Sequence, residues 1–196
     1  MNKEKHRIDP RIVRTRQLLK DALIELLQEM EIDKITVNRI AERATINRVT
    51  FYLHYRDIPD MLDKMADDMI KDIQNALNNR QFNSGTEEEK KNLFAMVGLL
   101  EHIVEHKKFY KVVLGSKRTP IFTERLLKML SQTVAYTVEN KKETLLSEAV
   151  IQKDIAIWYG SSALIGTIVA WVRNDMPYTP QYLAQQFSLL NQLFKY

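Results

Sequence analysis

Apolar residues recur along this chain at three- and four-residue spacing almost throughout, the period of an amphipathic helix and not of a strand. Leu18, Leu19, Ala22, Leu23, Leu26, Leu27 and Met30 trace one face, and Asp9 followed by Pro10 supplies an N-cap and a first helical residue. A first helix is therefore predicted to end near Met30. After the link over residues 31–35, Thr36 can cap a short helix from Val37 to Arg43, with Val37, Ile40, Ala41 and Ala44 on one side. Thr45, Ile46 and Asn47 separate it from another helix over Arg48 to Tyr55, for which Asn47 is placed as the cap. Asp57 caps a long fourth helix that carries Met61, Leu62, Met65, Ala66, Met69, Ile70, Ile73 and Leu77.

Polar residues 78–80 end that helix, and residues 81–85 read as a loop. From Thr86, with Glu87 to Glu89 suited to the positive end of a helix dipole, Leu93, Met96, Val97, Leu100, Ile103 and Val104 form the next amphipathic series. A break over Gly115 to Pro120 follows. Helices over residues 121–139, 144–174 (broken once) and 179–194 complete the second half. The pattern predicts an all-α protein of about nine helices. Residues 1–56 would form a three-helix domain, and residues 57–196 a helical bundle, joined through the long fourth helix.

Composition narrows the picture. In 196 residues, 45% are hydrophobic and 28% charged, which excludes a disordered chain. Five glycines and five prolines are too few for a hairpin-rich fold or a glycine-rich phosphate cradle. The absence of cysteine excludes disulfide frameworks, thiolate zinc sites and cysteine nucleophiles, and fits a reducing cytoplasm. No signal-peptide pattern opens the chain, so a cytoplasmic location is expected. The formal charge of +4 is mild, but Lys3, Lys5, Arg7, Arg11, Arg14, Arg16 and Lys20 oppose only Glu4 and Asp9 in the first twenty residues. A basic arm of this kind suits a phosphate backbone, as it suits a solvated terminus. Ile155 to Val172 runs 18 residues without a charge, the lower limit for a membrane span. Gly160, Ser161, Ser162, Gly166 and Thr167 moderate it, and a helix buried in protein is the expected reading, with no membrane.

Two short helices joined by three residues have the layout of a helix-turn-helix, whose second helix enters the DNA major groove. At about 100° per residue, Phe51 and Tyr55 fall on one face of Arg48–Tyr55, and Val49, Thr50 and Leu53 on the other. Arg48, Tyr52 and His54 lie on the flanks. Buried rings, short side chains toward base edges and long donors toward either wall are what groove reading requires.

The stretch from Thr36 to Tyr55 resembles the DNA-binding signature of the tetracycline-repressor (TetR) family, most visibly in Thr50-Phe51-Tyr52-x-His54-Tyr55 and in the spacing of Ile40, Ala41 and Ala44. The motif covers roughly residues 12–65. Trp171 followed by Pro177 is similar to a subgroup that includes regulators and coactivators of dihydroxyacetone metabolism. The resemblance implies a transcriptional regulator without cofactor or catalysis, most simply a ligand-responsive repressor acting as a homodimer on palindromic double-stranded DNA. It implies that Thr36 caps against a phosphate, Thr50 reaches the groove, Tyr52 and His54 hold phosphates, and Asn47 and Arg48 select the operator. With Val49 and Leu53 these form the expected DNA-binding set. Three positions depart from the family pattern: Ile58 replaces a phosphate-binding lysine, and Thr45 and Glu31 replace glycines of the two turns.

A two-fold dimer is needed to read half-sites about 34–36 Å apart. Ser162, Gly166 and Ala170 at four-residue spacing, and Phe187, Leu190 and Phe194 on the final helix, are assigned to its interface, as the family pattern also implies. The competing role for both is an intramolecular core. A small effector, also implied by the family, could be lined by Phe94, Met96, Leu100, Tyr110, Phe122, Tyr136, Trp158, Tyr159 and Ser162, or these could be plain core. Two rival functions remain. The first is a coactivator of the same fold working through a protein partner, which Ile58 favours. The second is a zinc hydrolase, because His102, Glu105 and His106 match the His-x-x-Glu-His pattern of inverted zinc peptidases. The apolar series on that helix predicts that all three point away from the core, and no third protein ligand beyond the motif is indicated, so no metal is expected.

Overall fold

The structure, a computed structural model, describes residues 9–78, 88–115, 119–140 and 151–193. Among them lie nine α-helices: α1 (Pro10–Glu29), α2 (Val37–Arg43), α3 (Arg48–Tyr52), α4 (Ile58–Asn78), α5 (Glu88–Glu105), α6 (Lys107–Val113), α7 (Pro120–Asn140), α8 (Lys153–Arg173) and α9 (Pro180–Leu193). One 3-10 turn at Ile32–Lys34 precedes α2, and the described residues hold no strand. The chain divides into two compact units between Met65 and Ala66, inside α4 and later than the boundary expected at Asp57. Phe194 and residue 144, the expected start of the penultimate helix, fall outside the described residues, and the described part of that helix, α8, runs unbroken from Lys153 to Arg173.

In the first unit, Asp9 caps α1 by accepting the Arg11 N–H at 2.8 Å, and Pro10 occupies the first helical position, where its missing N–H costs nothing. Leu19, Leu23, Leu26 and Leu27 of α1 are buried with Ile40, Ala41, Phe51, Tyr55 and Met61. At the surface, the Arg43 guanidinium forks onto Glu29 with both N···O distances at 2.7 Å, pinning α2 to α1 in one orientation. The chain leaves α1 through Met30 and Glu31 in extended conformation, so no left-handed glycine is required there.

The turn after α2 does need one. Thr45 sits at φ 56°, where its N–H donates to the Glu42 carbonyl and the Ile46 N–H to the Ala41 carbonyl, both at 3.0 Å. This is the Schellman arrangement, made here with a β-branched residue instead of glycine. A left-handed L-residue costs about 1–2 kcal/mol, and glycine returns about 0.5–1 of that in unfolded-chain entropy. Thr45→Gly is therefore expected to stabilise the first unit by about 1 kcal/mol, read as a rise of its thermal midpoint. An unchanged or lower midpoint would show that the turn stores no strain.

In the second unit α7 lies along α8, and α5 along α9. A Cβ on Gly160 would stand 3.2 Å from Val134 Cγ1, so the backbone of α8 approaches α7 closely there. Leu100, Ile103, Tyr110, Val113, Phe122, Leu126, Ile168, Trp171, Val172, Leu183 and Phe187 are buried. After α8 the chain turns through Asp175 (φ 64°) and Met176 (φ 58°), again in a Schellman pattern onto Val172 and Trp171. Lys107 and Lys111 both pair with Asp175, and their hydrogen bonds pull its carboxyl down to about 2. The Trp171 indole N–H donates to the Tyr178 carbonyl at 3.0 Å and closes the turn.

The two expected interface stripes fare differently. Ser162, Gly166 and Ala170 are exposed, on one face of α8 with Ile155, Trp158, Tyr159 and Ala163. On α9, Leu190 is exposed and Leu189 beside it, but Phe187 is buried: its ring fills the unit's own core and is not available to a second chain. By length and composition α8 would pass for a membrane span, with a mean hydropathy of 1.6 and 28% of its most apolar window buried.

Candidate nucleic-acid interface

Asn47 caps α3, its side-chain oxygen accepting the Val49 N–H at 2.8 Å. The helix is shorter than its periodicity predicts, ending at Tyr52 and not at Tyr55. The Leu53 N–H bonds to the Thr50 carbonyl at 3.3 Å and the His54 N–H to that of Phe51 at 2.9 Å, so the last turn tightens. The Tyr55 N–H also bonds to the Phe51 carbonyl, at 3.0 Å, and the Arg56 N–H beyond it is taken by the Asp60 carboxylate at 3.0 Å, which draws the chain into α4.

Phe51 and Tyr55 are buried, their ring centroids 5.6 Å apart, and hold this segment down. The opposite side is bare: Val49 is 66% and Leu53 77% exposed, two large apolar side chains left in water. Arg48, Tyr52 and Asn47 are exposed, and Thr50 and His54 half-buried. Arg48 folds over Tyr52, its guanidinium 5.6 Å from the ring centre and 3.2 Å from the phenol oxygen, so arginine and tyrosine stand as one polar unit. Thr36 is exposed at the start of α2, where its hydroxyl accepts the Arg39 N–H at 3.3 Å and keeps its own proton to donate. Burial, and then the charge of Arg16, hold His54 below the usual histidine range. Both effects favour its neutral form, which can still donate a hydrogen bond.

Two cations near His54 were not singled out by sequence. Arg16, expected only as part of a basic arm, lies in electrostatic range of His54. Lys64 of α4 donates to the His54 carbonyl at 3.2 Å and to Asp60 at 2.8 Å, and lies over the Tyr55 ring. Asp60 is buried, and the Lys64 hydrogen bond, followed by the Arg56 N–H, keeps its carboxyl ionised below the usual range. The Asp60–Lys64 spacing of four was the available signal. The position expected to carry a cation, Ile58, is half-buried.

The nine expected effector-lining residues do not come together in one enclosure. Leu100, Tyr110 and Phe122 are fully buried and Met96 half-buried, whereas Phe94, Tyr136, Trp158, Tyr159 and Ser162 lie on the surface of the chain. The His-x-x-Glu-His motif is also placed differently from expectation. Glu105 and His106 are exposed, but His102 is only 7% exposed, because α5 is covered on a wider arc than its leucines and isoleucines mark.

The family profile described as the C-terminal region of transcriptional regulators of TetR type matches residues 91–192, just over half of the chain. The HTH-type transcriptional regulator YxbF of Bacillus subtilis is 24% identical over 168 residues; these cover 86% of this chain, which spans 42% of that protein's length. Among solved structures, a TetR transcriptional regulator from Streptococcus agalactiae 2603V superposes with a TM-score of 0.69 at 24% identity, over 93% of this chain and 96% of that one. The dihydroxyacetone kinase operon activator DhaS superposes at 0.58 with 18% identity, over 91% and 94%, a likeness of fold alone. The proteins in this group are transcription factors and not enzymes. This chain belongs to the TetR family of transcriptional regulators.

Proposed function

We propose that this regulator is a ligand-responsive repressor that binds a palindromic operator as a homodimer. The observation that carries the DNA-reading part is the two-sidedness of Arg48–Tyr55, with Phe51 and Tyr55 buried and Val49 and Leu53 left bare. An apolar pair flanked by Arg48, Tyr52 and the donor His54 has the chemistry of a surface that meets thymine methyls and phosphates. In this reading Asn47, Arg48, Val49, Thr50 and Leu53 face bases, and Thr36, Tyr52 and His54 hold the backbone. The second copy is proposed to cover the exposed face of α8 that carries Trp158, Tyr159, Ser162, Gly166 and Ala170, together with Leu190 of α9. The apolar residues Met96, Leu100, Tyr110 and Phe122 favour an apolar effector.

Selection of bound DNA from a random pool, followed by salt titration of the winner, tests the reading. A palindrome is expected, with binding that weakens steeply as salt rises. Selected sequences without two-fold symmetry would remove the dimeric readout. On the selected operator, Arg48→Ala is expected to cost about 1–3 kcal/mol and to relax preference at one position of each half-site. An equal loss on every sequence would reassign Arg48 to the phosphates.

A further inference from the structure

The last turn of α5 and the first residue beyond it bring His102, Glu105 and His106 to one side of a helix, since positions three and four apart are surface neighbours. Each offers a ligand atom, and all of these atoms lie within 4.8 Å of one another. The two imidazole centroids are 4.6 Å apart. Ligands of one tetrahedral ion stand about 3.3 Å apart at metal–nitrogen distances of about 2.0–2.1 Å. Rotation of the exposed Glu105 and His106 side chains closes that difference while buried His102 stays fixed.

Three further observations point to a cation at this place. Neither imidazole makes a side-chain hydrogen bond among the described residues, so its ring nitrogens are not committed to another protein group. Tyr110 stands edge-on to His102 at 5.8 Å between centroids, and its own buried hydroxyl also has no partner among the described residues. The Asp72 carboxylate lies in electrostatic range of both rings.

We infer that His102, Glu105 and His106 bind a divalent first-row transition-metal ion, of which Zn2+ is the representative, at the junction of α5 and α6. Two imidazoles and one carboxylate select such ions over Mg2+ and Ca2+, which prefer sites built from oxygen alone. Three protein ligands leave a coordination position for water, and the metal ties His106, the residue between the two helices, to the last turn of α5. The site is independent of the operator-binding reading, because every residue in it lies in the second unit.

The test is equilibrium dialysis of the full chain, free of any affinity tag, against Zn2+ alone, with the thermal midpoint measured in parallel. One ion per chain and a raised midpoint are expected, since an ion that binds only the folded state stabilises it. His106→Ala and Glu105→Gln change exposed side chains and leave the fold intact. Each is expected to weaken Zn2+ binding by about tenfold or more, at least what losing an outer partner of a metal ligand costs. His6→Ala is expected to change nothing, and Mg2+ at the same concentration to produce no shift. Failure to retain Zn2+, or equal uptake by His106→Ala, overturns the site.

Discussion

Phe51→Ala is expected to abolish operator binding by unfolding the first unit while the second survives. The ring is fully buried and is the hub of the segment proposed to read DNA, in edge contact with Tyr52 at 5.5 Å and tilted against Tyr55 at 5.6 Å. Removing a buried phenyl ring costs about 3–5 kcal/mol, through lost burial and the cavity left behind. A unit of this size has only a few kcal/mol to lose. The two tryptophans make the outcome readable, because Trp158 and Trp171 both lie in the second unit. Circular dichroism should lose the helices of the first unit at low temperature, while the tryptophan fluorescence transition stays near its original midpoint. Leu53→Ala is the contrast: it truncates a 77% exposed side chain, so it should leave stability within about 0.5 kcal/mol and affect only DNA binding. A Phe51→Ala protein with unchanged circular dichroism and operator affinity would show that the ring does not hold the reading surface.

Much of this arrangement was legible in the sequence because local chemistry and burial agree there. Asp9, Thr36 and Asn47 cap the helices their positions predict, and Phe51 and Tyr55 turn inward as their spacing requires. Even the missing glycine at Thr45 was visible as a departure, and the chain answers it by forcing a threonine to positive φ. Periodicity failed where a group outside the helix decides. It cannot show that Asp60 captures the Arg56 N–H, and that capture is what accompanies the end of α3 at Tyr52. On α9 the apolar residues span more than one face, so period alone could not tell that Phe187 goes inward while Leu189 and Leu190 go outward. His102 was misplaced for a related reason. A histidine on the border of an apolar stripe is buried or exposed according to what packs against that border, and the helix's own sequence does not carry this.

A second large effect is expected at a residue whose added side chain would meet nothing within the chain. A Cβ placed on Gly166 meets no atom within 4 Å, so Gly166→Arg introduces no clash inside the chain. Replacing a mid-helix glycine should even favour α8 by as much as about 1 kcal/mol. The same glycine lies on the exposed face with Trp158, Tyr159, Ser162, Ala163 and Ala170, where small residues let a second helix come close. If a second copy covers that face, two arginines related by the two-fold axis would be forced together in a dry contact, with repulsion added to steric overlap. The expected outcome is a monomer of unchanged or slightly raised thermal midpoint. A lone copy reads one half-site, which brings its affinity down toward non-specific binding, a fall of about a thousandfold or more. Gly166→Ala, which keeps the contact thin, should remain dimeric and bind the operator. Sedimentation and operator titration of the two variants decide the matter. A Gly166→Arg protein that stays dimeric with full operator affinity would place the second copy on some other surface.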